Sequence, residues 1–113
     1  MTIALTTRGT DRDAPMDPRF GRTPYFLILD EEIDEVAVVD NTEVAGQAHG
    51  AGPRAVRVLV DHGVDVLITG NGPGGNAAAG LQAAGVTVYV GAGEMTAAEA
   101  LQAYHEGKLP AAS

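Results

Sequence analysis

The chain has 113 residues, a formal net charge of −8, 45% hydrophobic residues and few aromatics, enough for one domain with a core of Val, Ile, Leu and Ala. It has no cysteine, which excludes disulfides, thiolate catalysis, Cys-ligated zinc and Cys-held iron–sulfur clusters. The acidic balance argues against a broad nucleic-acid or membrane-binding face, and no stretch approaches the roughly 20 apolar residues of a membrane span.

From Met1 the sequence runs directly into a strand-like pattern at Ile3 and Leu5, with no basic region or apolar leader before it; a cytoplasmic protein is expected. Residues 8–23, RGTDRDAPMDPRFGRT, are a long polar loop whose PRFGR segment should pack back onto the body. Strands are predicted over Tyr25–Asp30 and Val36–Val39, joined by an acidic hairpin turn. Residues 41–52 read as a second loop, and Pro53 as the first residue of a helix that ends at the left-handed cap Gly63. Val56, Leu59 and Val60 make its apolar stripe.

The apolar run Val64–Thr69 suits a buried parallel strand. The glycine-rich turn GNGPGG follows, then a small-residue helix capped by Asn76 and closed by Gly85. A fifth strand covers Val86–Val90, and a last helix opens at Thr96 with Glu99 in a capping box. The domain should therefore span residues 1–109, with 110–113 a frayed tail. The order β-β-β-α-β-α-β-α predicts an α/β fold with a five-stranded mixed sheet between helical layers, of ribonuclease-H-like outline. Its loops after Thr7, Thr69 and Val90 should share one edge of the sheet, where ligands of such folds collect.

Gly70, Asn71, Gly72, Gly74, Gly75 and Asn76 form the first candidate site, a turn that gathers backbone N–H groups at a helix N-terminus. It matches G-x-G-x-x-G only formally. Pro73 removes one donor, no second mononucleotide half follows, and no Lys-Ser or Lys-Thr makes it a Walker loop. A tight turn needed only for packing and a loop that contacts an anion both remain open. Arg19 and Arg22 flank Phe20 and Gly21, and such a pair can hold carboxylate, phosphate or an anionic cluster by directed N–H donors; alternatively Phe20 plugs the core and the arginines pair with neighbouring acids. His49, between glycines before a helix, could ligate a metal or simply face solvent. His62 and His105 sit near helix C-termini, where the dipole suits them. Met1–Thr7 holds no acid for nuclease-type metals, and no serine precedes Ser113. A non-enzyme is expected.

PRFGRTPYFLILD, the segment from AHGAGPRAV to VYVGA, and TAAEALQAYHEGKL resemble the dinitrogenase iron–molybdenum cofactor biosynthesis family of NifX-like domains over nearly the whole chain. The carrying motifs are FGR-x-PYF, HG-x-G and TG-x-G-x-x-x-N-A. The resemblance implies the ribonuclease-H-like fold and a non-catalytic carrier for an iron–sulfur or iron–molybdenum type cluster, or its precursor, in nitrogen fixation and related assembly. By position it puts the FGR motif on Phe20, Gly21 and Arg22, a loop histidine ligand on His49, and the glycine loop on Gly70–Asn76. Many relatives carry His where this chain has Arg19. Cluster-assembly proteins are the implied partners, and a monomer or small homo-oligomer the implied state. Two alternatives stand beside this reading: a nucleotide- or phosphate-binding regulatory module without metal, and an interaction module whose acidic hairpin meets a basic partner.

Overall fold

The computed structural model describes residues 1–47 and 50–112. Its strands are β1 (Thr2–Thr7), β2 (Tyr25–Asp30), β3 (Glu35–Asp40), β4 (Val66–Ile68) and β5 (Thr87–Tyr89). Its helices are α1 (Thr42–Ala45), α2 (Ala51–Asp61), α3 (Gly75–Ala83) and α4 (Ala97–His105). The strands form one five-stranded sheet in the order β3-β2-β1-β4-β5. β1, β2 and β3 pair antiparallel, while β1–β4 and β4–β5 pair parallel. This is the mixed α/β sheet the sequence predicts.

The two-residue period of each strand sends alternate side chains to opposite faces. Ala4, Phe26, Ile28, Leu67 and Val88 meet Ala55, Val56 and Leu59 of α2 and Ala77 and Leu81 of α3. Ile3, Leu5, Leu27, Val66 and Ile68 meet Ala97, Ala100 and Ala103 of α4, together with Met16 and Leu109. Small residues on the helices allow close approach. Gly80, for example, lies where a Cβ would stand 3.3 Å from Val56, so α2 and α3 pack almost backbone to side chain.

Several boundaries differ from expectation. The stretch expected as a loop after β3 contains the one-turn helix α1, started by Asp40, whose Oδ1 accepts from the Thr42 N–H at 2.9 Å and the Thr42 hydroxyl at 2.6 Å. α2 begins at Ala51, two residues before Pro53, after Gly50 turns the chain at φ 78°. Pro53 still falls in the first turn, where no intrahelical donor is lost. The buried stripe of α2 is Ala51, Ala55, Val56 and Leu59, and Val60 is exposed. Asn76 does not cap α3. That helix starts at Gly75, with extended Gly74 before it and no side-chain cap. Gly63 takes the left-handed conformation expected of it, Gly85 and Gly107 take the same conformation after α3 and α4, and Thr96–Glu99 forms the predicted capping box. After Leu109, in the segment expected as a frayed tail, Pro110–Ala112 pair their backbone with the outer side of β5. Among the described residues no helix is long and apolar enough to cross a membrane.

Candidate functional site

β1 and β4 run parallel, so the loops after both emerge at one edge of the sheet. The loop after β1 is tied to β1 and β4 by buried bonds: the Asp17 N–H donates to the Thr6 carbonyl at 2.8 Å, and the Thr6 hydroxyl lies 2.8 Å from the Asp17 carbonyl and 3.0 Å from the Thr69 hydroxyl. The Asn71 N–H donates to the Pro18 carbonyl at 2.7 Å, joining the arginine loop to the glycine loop. These bonds satisfy backbone groups that would otherwise be orphaned between two loops.

Glycine permits the contact. A Cβ on Gly70 would stand 2.6 Å from the Pro18 Cα and 2.9 Å from the Gly93 Cα; one on Gly21 would stand 2.9 Å from the Gly52 nitrogen. Gly21 and Gly70 are therefore seams between backbones, the first joining the arginine loop to α2 and the second joining it to the glycine loop. A Cβ on Gly52 would stand 3.3 Å from the Ala77 Cβ, so the first turns of α2 and α3 also touch.

Between them lies a cleft of about 550 Å³, lined by Arg19–Arg22, Gly50–Pro53 and Asn71–Ala77. Of the glycine-loop candidates only Gly70 is outside it, half-buried in the Pro18 seam; the others, with Arg19, Phe20, Gly21 and Arg22, all border it. Phe20 forms part of the wall. It is buried, with its ring 5.7 Å from that of Phe26.

Two helix N-termini open onto this cleft. α3 has no side-chain cap, so the N–H groups of Gly75, Asn76 and Ala77, all at the cleft, have no partner within the helix. Among the described residues α2 likewise has no side-chain cap, and it presents Ala51 and Gly52. Each terminus carries about half a positive charge. Both termini therefore favour an anion.

The arginines divide their work. Arg19 is 58% exposed and grips the buried Asp17, donating from Nε to Oδ1 at 3.0 Å and from Nη2 to Oδ2 at 2.9 Å. Asp17 Oδ1 also accepts the Arg19 backbone N–H at 2.8 Å, and Arg8 stands 3.8 Å away. Burial pushes the Asp17 carboxyl up, but the hydrogen bonds and charge of Arg19, with Arg8, hold it below the usual carboxylate range. The same pairing raises the Arg19 guanidinium. Arg22 points its Nη1 into the loop after α1, donating to the Ala45 carbonyl at 2.8 Å and to the Gln47 carbonyl.

His49 lies outside the described residues, so its expected ligand role has no geometry here. His62 Nδ1 lies 2.8 Å from the Val58 carbonyl, and His105 Nε2 lies 2.5 Å from Glu31, both away from the cleft. Among the described residues no three His, Cys, Asp or Glu side chains converge as metal ligands would. The reading of the residues alone missed Asp17 and Asn41. Asn41 Nδ2 donates to the Gly21 carbonyl at 3.3 Å and the Thr23 carbonyl at 2.9 Å. An acid two residues before Arg19 was a usable signal for Asp17; nothing local announced Asn41.

Fold and site together define an α/β domain with a cleft receptive to an anion, walled by two helix N-termini and an arginine loop. The chain belongs to the dinitrogenase iron–molybdenum cofactor family, whose model matches residues 1–107. It is similar to the apo form of the orange protein from Desulfovibrio gigas, with 38% identity, 99% of this chain and 92% of that chain covered, and a TM-score of 0.93. It is also similar to a putative NifB protein from Thermotoga, described as belonging to the DUF35 family, with 43% identity, 97% and 91% coverage, and a TM-score of 0.84. None of the curated proteins matches the chain.

Proposed function

We propose that this protein is a non-catalytic carrier or chaperone for an anionic metal–sulfur cluster of the iron–sulfur or iron–molybdenum type, on a domain whose sheet we read as ribonuclease-H-like. The observation that carries the reading is the convergence of two uncapped helix N-termini and Arg19 on one cleft. A sulfide-rich anion is poorly hydrated at its surface and is held well by many N–H donors beside an apolar wall. Phe20 supplies part of that wall, the N–H groups of Gly72, Gly74, Gly75 and Asn76 supply donors, and Arg19 adds charge at the rim. Arg22 braces the loop that leads to His49, and His49 is assigned a ligand role within it. The family's name supports a cofactor cargo. Cluster-assembly proteins would load and unload the carrier in the cytoplasm.

The test is metal and acid-labile sulfide content after purification without oxygen, followed by titration of the apoprotein with a synthetic iron–sulfur or iron–molybdenum–sulfur cluster. Retention or uptake by the parent chain, lost in Arg19→Glu and weakened in His49→Ala, is the expected result. Failure to bind any cluster, with a rise in melting temperature on adding inorganic phosphate or a nucleotide, would replace this reading with the metal-free alternative.

A further inference from the structure

The sheet has two edges, and they are treated differently. Along β5 the chain covers itself: the Val90 N–H donates to the Pro110 carbonyl at 3.0 Å, and the Ala112 N–H donates to the Val88 carbonyl at 2.8 Å. Along β3 no strand or bridge pairs with the outer side among the described residues. Every β3 residue except half-buried Val39 is exposed.

The exposed strand is apolar where it should be polar. Val36 and Val38 stand opposite Leu29 and Leu27, on the α4 face of the sheet, and are 37% and 45% exposed. α4 packs over β1 and β4, and its Ala98 and Leu101 meet β3 only across a groove beside Val36. A narrow groove is left in which Val36 shares walls with Leu29, Ala98 and Leu101. Ile33, at the hairpin tip, is 61% exposed. A natural edge strand is normally blunted by charge or covered. Here the strand's own charges sit only at its ends, in Glu35 and Asp40, with Glu32, Glu43 and the Asp34–Arg12 ion pair nearby.

We propose that the free edge of β3 is a docking strand for an extended, basic segment of a partner protein. Strand addition supplies a ladder of backbone hydrogen bonds, and alternate side chains of the guest set its specificity. Val36 and Val38 call for apolar residues at alternate positions. Glu35 and Asp40 call for Lys or Arg at both ends.

The charge pattern selects against a second copy of this chain. A twofold antiparallel pairing of β3 with itself sets Glu35 opposite Asp40 twice, and directly opposed like charges destabilise a sheet. A net charge of −8 on each copy adds to the repulsion. A basic guest meets neither obstacle.

The location gives the edge a use. β3 runs straight into Asn41, whose N–H donates to the Pro24 carbonyl and whose amide holds the Gly21 and Thr23 carbonyls at the wall of the cleft. A strand docked on β3 ends beside the cleft. The inference stands on the edge itself and does not require any particular cargo.

The experiment adds a lysine-flanked peptide of alternating valine and threonine to the isotopically labelled full chain and follows the amide resonances. Saturable shifts and slowed hydrogen exchange concentrated in Glu35–Asp40 are expected. Glu35→Lys, an exposed substitution remote from the cleft, should weaken this peptide by about tenfold or more, a loss of roughly 1.4 kcal/mol. Val38→Lys should weaken it as well, with the circular dichroism spectrum of both variants unchanged. A glutamate-flanked peptide should bind only Glu35→Lys. The proposal is overturned by absent binding, by equal binding of the two peptides to the parent chain, or by shifts centred elsewhere. Sedimentation showing a dimer that Val38→Lys dissolves would overturn it in favour of self-association.

Discussion

Asp17 receives three hydrogen bonds from Arg19, one from the backbone N–H and two from the guanidinium, while remaining 1% exposed. The acid fixes both ends of the residue whose charge faces the cleft. Arg19 can turn toward a guest only from this anchored position, and its reach is set by Asp17 rather than by solvent.

Replacing Asp17 with Asn should lower stability by about 1–3 kcal/mol, because donors that served a buried carboxylate lose their charged acceptor. The pH dependence follows from the depressed folded-state pKa. A carboxyl whose pKa is lower folded than unfolded contributes fully above its unfolded value, near about 4, and loses that contribution as pH falls through the folded value. Urea midpoints of the parent and Asp17→Asn should therefore differ by a constant amount from about pH 7 to 5 and converge below about pH 4. A gap that widens on acidification would remove the ion pair as the cause.

Arg22 donates to the carbonyls of Ala45 and Gln47, so a guanidinium that the sequence suggests as a cluster-facing charge also serves as a brace for the loop after α1. Lysine keeps the charge but offers a point donor in place of a planar fork. Arg22→Lys should accelerate hydrogen exchange at Ala45–Gln47 and in the first turn of α2 while leaving α4 unchanged. If exchange is untouched and cluster affinity alone falls, charge is its main role and the brace is incidental.

Asn41 is buried and holds two carbonyls of the arginine loop, although its own Oδ1 has no hydrogen-bond partner among the described residues. Asn41→Ala removes both donors and leaves a small void. A loss of about 1–3 kcal/mol in urea unfolding is expected. Cluster uptake should fall more than the Asp17→Asn variant's does, because the Gly21 seam against α2 loosens directly.

Periodicity and punctuation made most of the fold legible. The continuous apolar run Phe26–Leu29, the glycine stops at 63 and 85, and the Thr96–Glu99 box all act locally, within one turn or one strand, and all read correctly. The starts of α2 and α3 did not, and for one reason. Pro53 and Asn76 are strong local signals for a helix start, yet each helix, with Gly50 and Gly74 at the cap positions, begins two residues earlier than those signals place it. Those starts are fixed by tertiary contact, Gly52 against Ala77 and Gly21 against Gly52, which no local pattern records. The cleft was legible as two separate loops. What the sequence could not supply was the bond from Asn71 to Pro18 that makes them one wall, or the division of Arg19 and Arg22 between a buried acid and a pair of carbonyls.

The glycines of the loop after β4 separate packing from binding most cleanly. Gly70 has backbone atoms within 2.6 and 2.9 Å of where a Cβ would stand, whereas Gly74 has nothing within 4 Å and an extended backbone, φ −64° and ψ 166°, open to any residue. Alanine at position 70 must push Pro18 or Gly93 aside, and overpacking of this kind typically costs about 1–3 kcal/mol. Alanine at position 74 meets no neighbour and loses some unfolded-state freedom, so stability should hold or rise by up to about 1 kcal/mol. The order should reverse for a guest. Gly74 lines the cleft at the N-terminus of α3, where a methyl group stands between an anion and the N–H donors. Gly74→Ala should therefore keep its melting temperature and lose cluster affinity, while Gly70→Ala loses stability first. Thermal melts and titrations on the two variants decide it: a Gly74→Ala protein that binds cluster as well as the parent would mean that the loop supports the fold without touching the cargo.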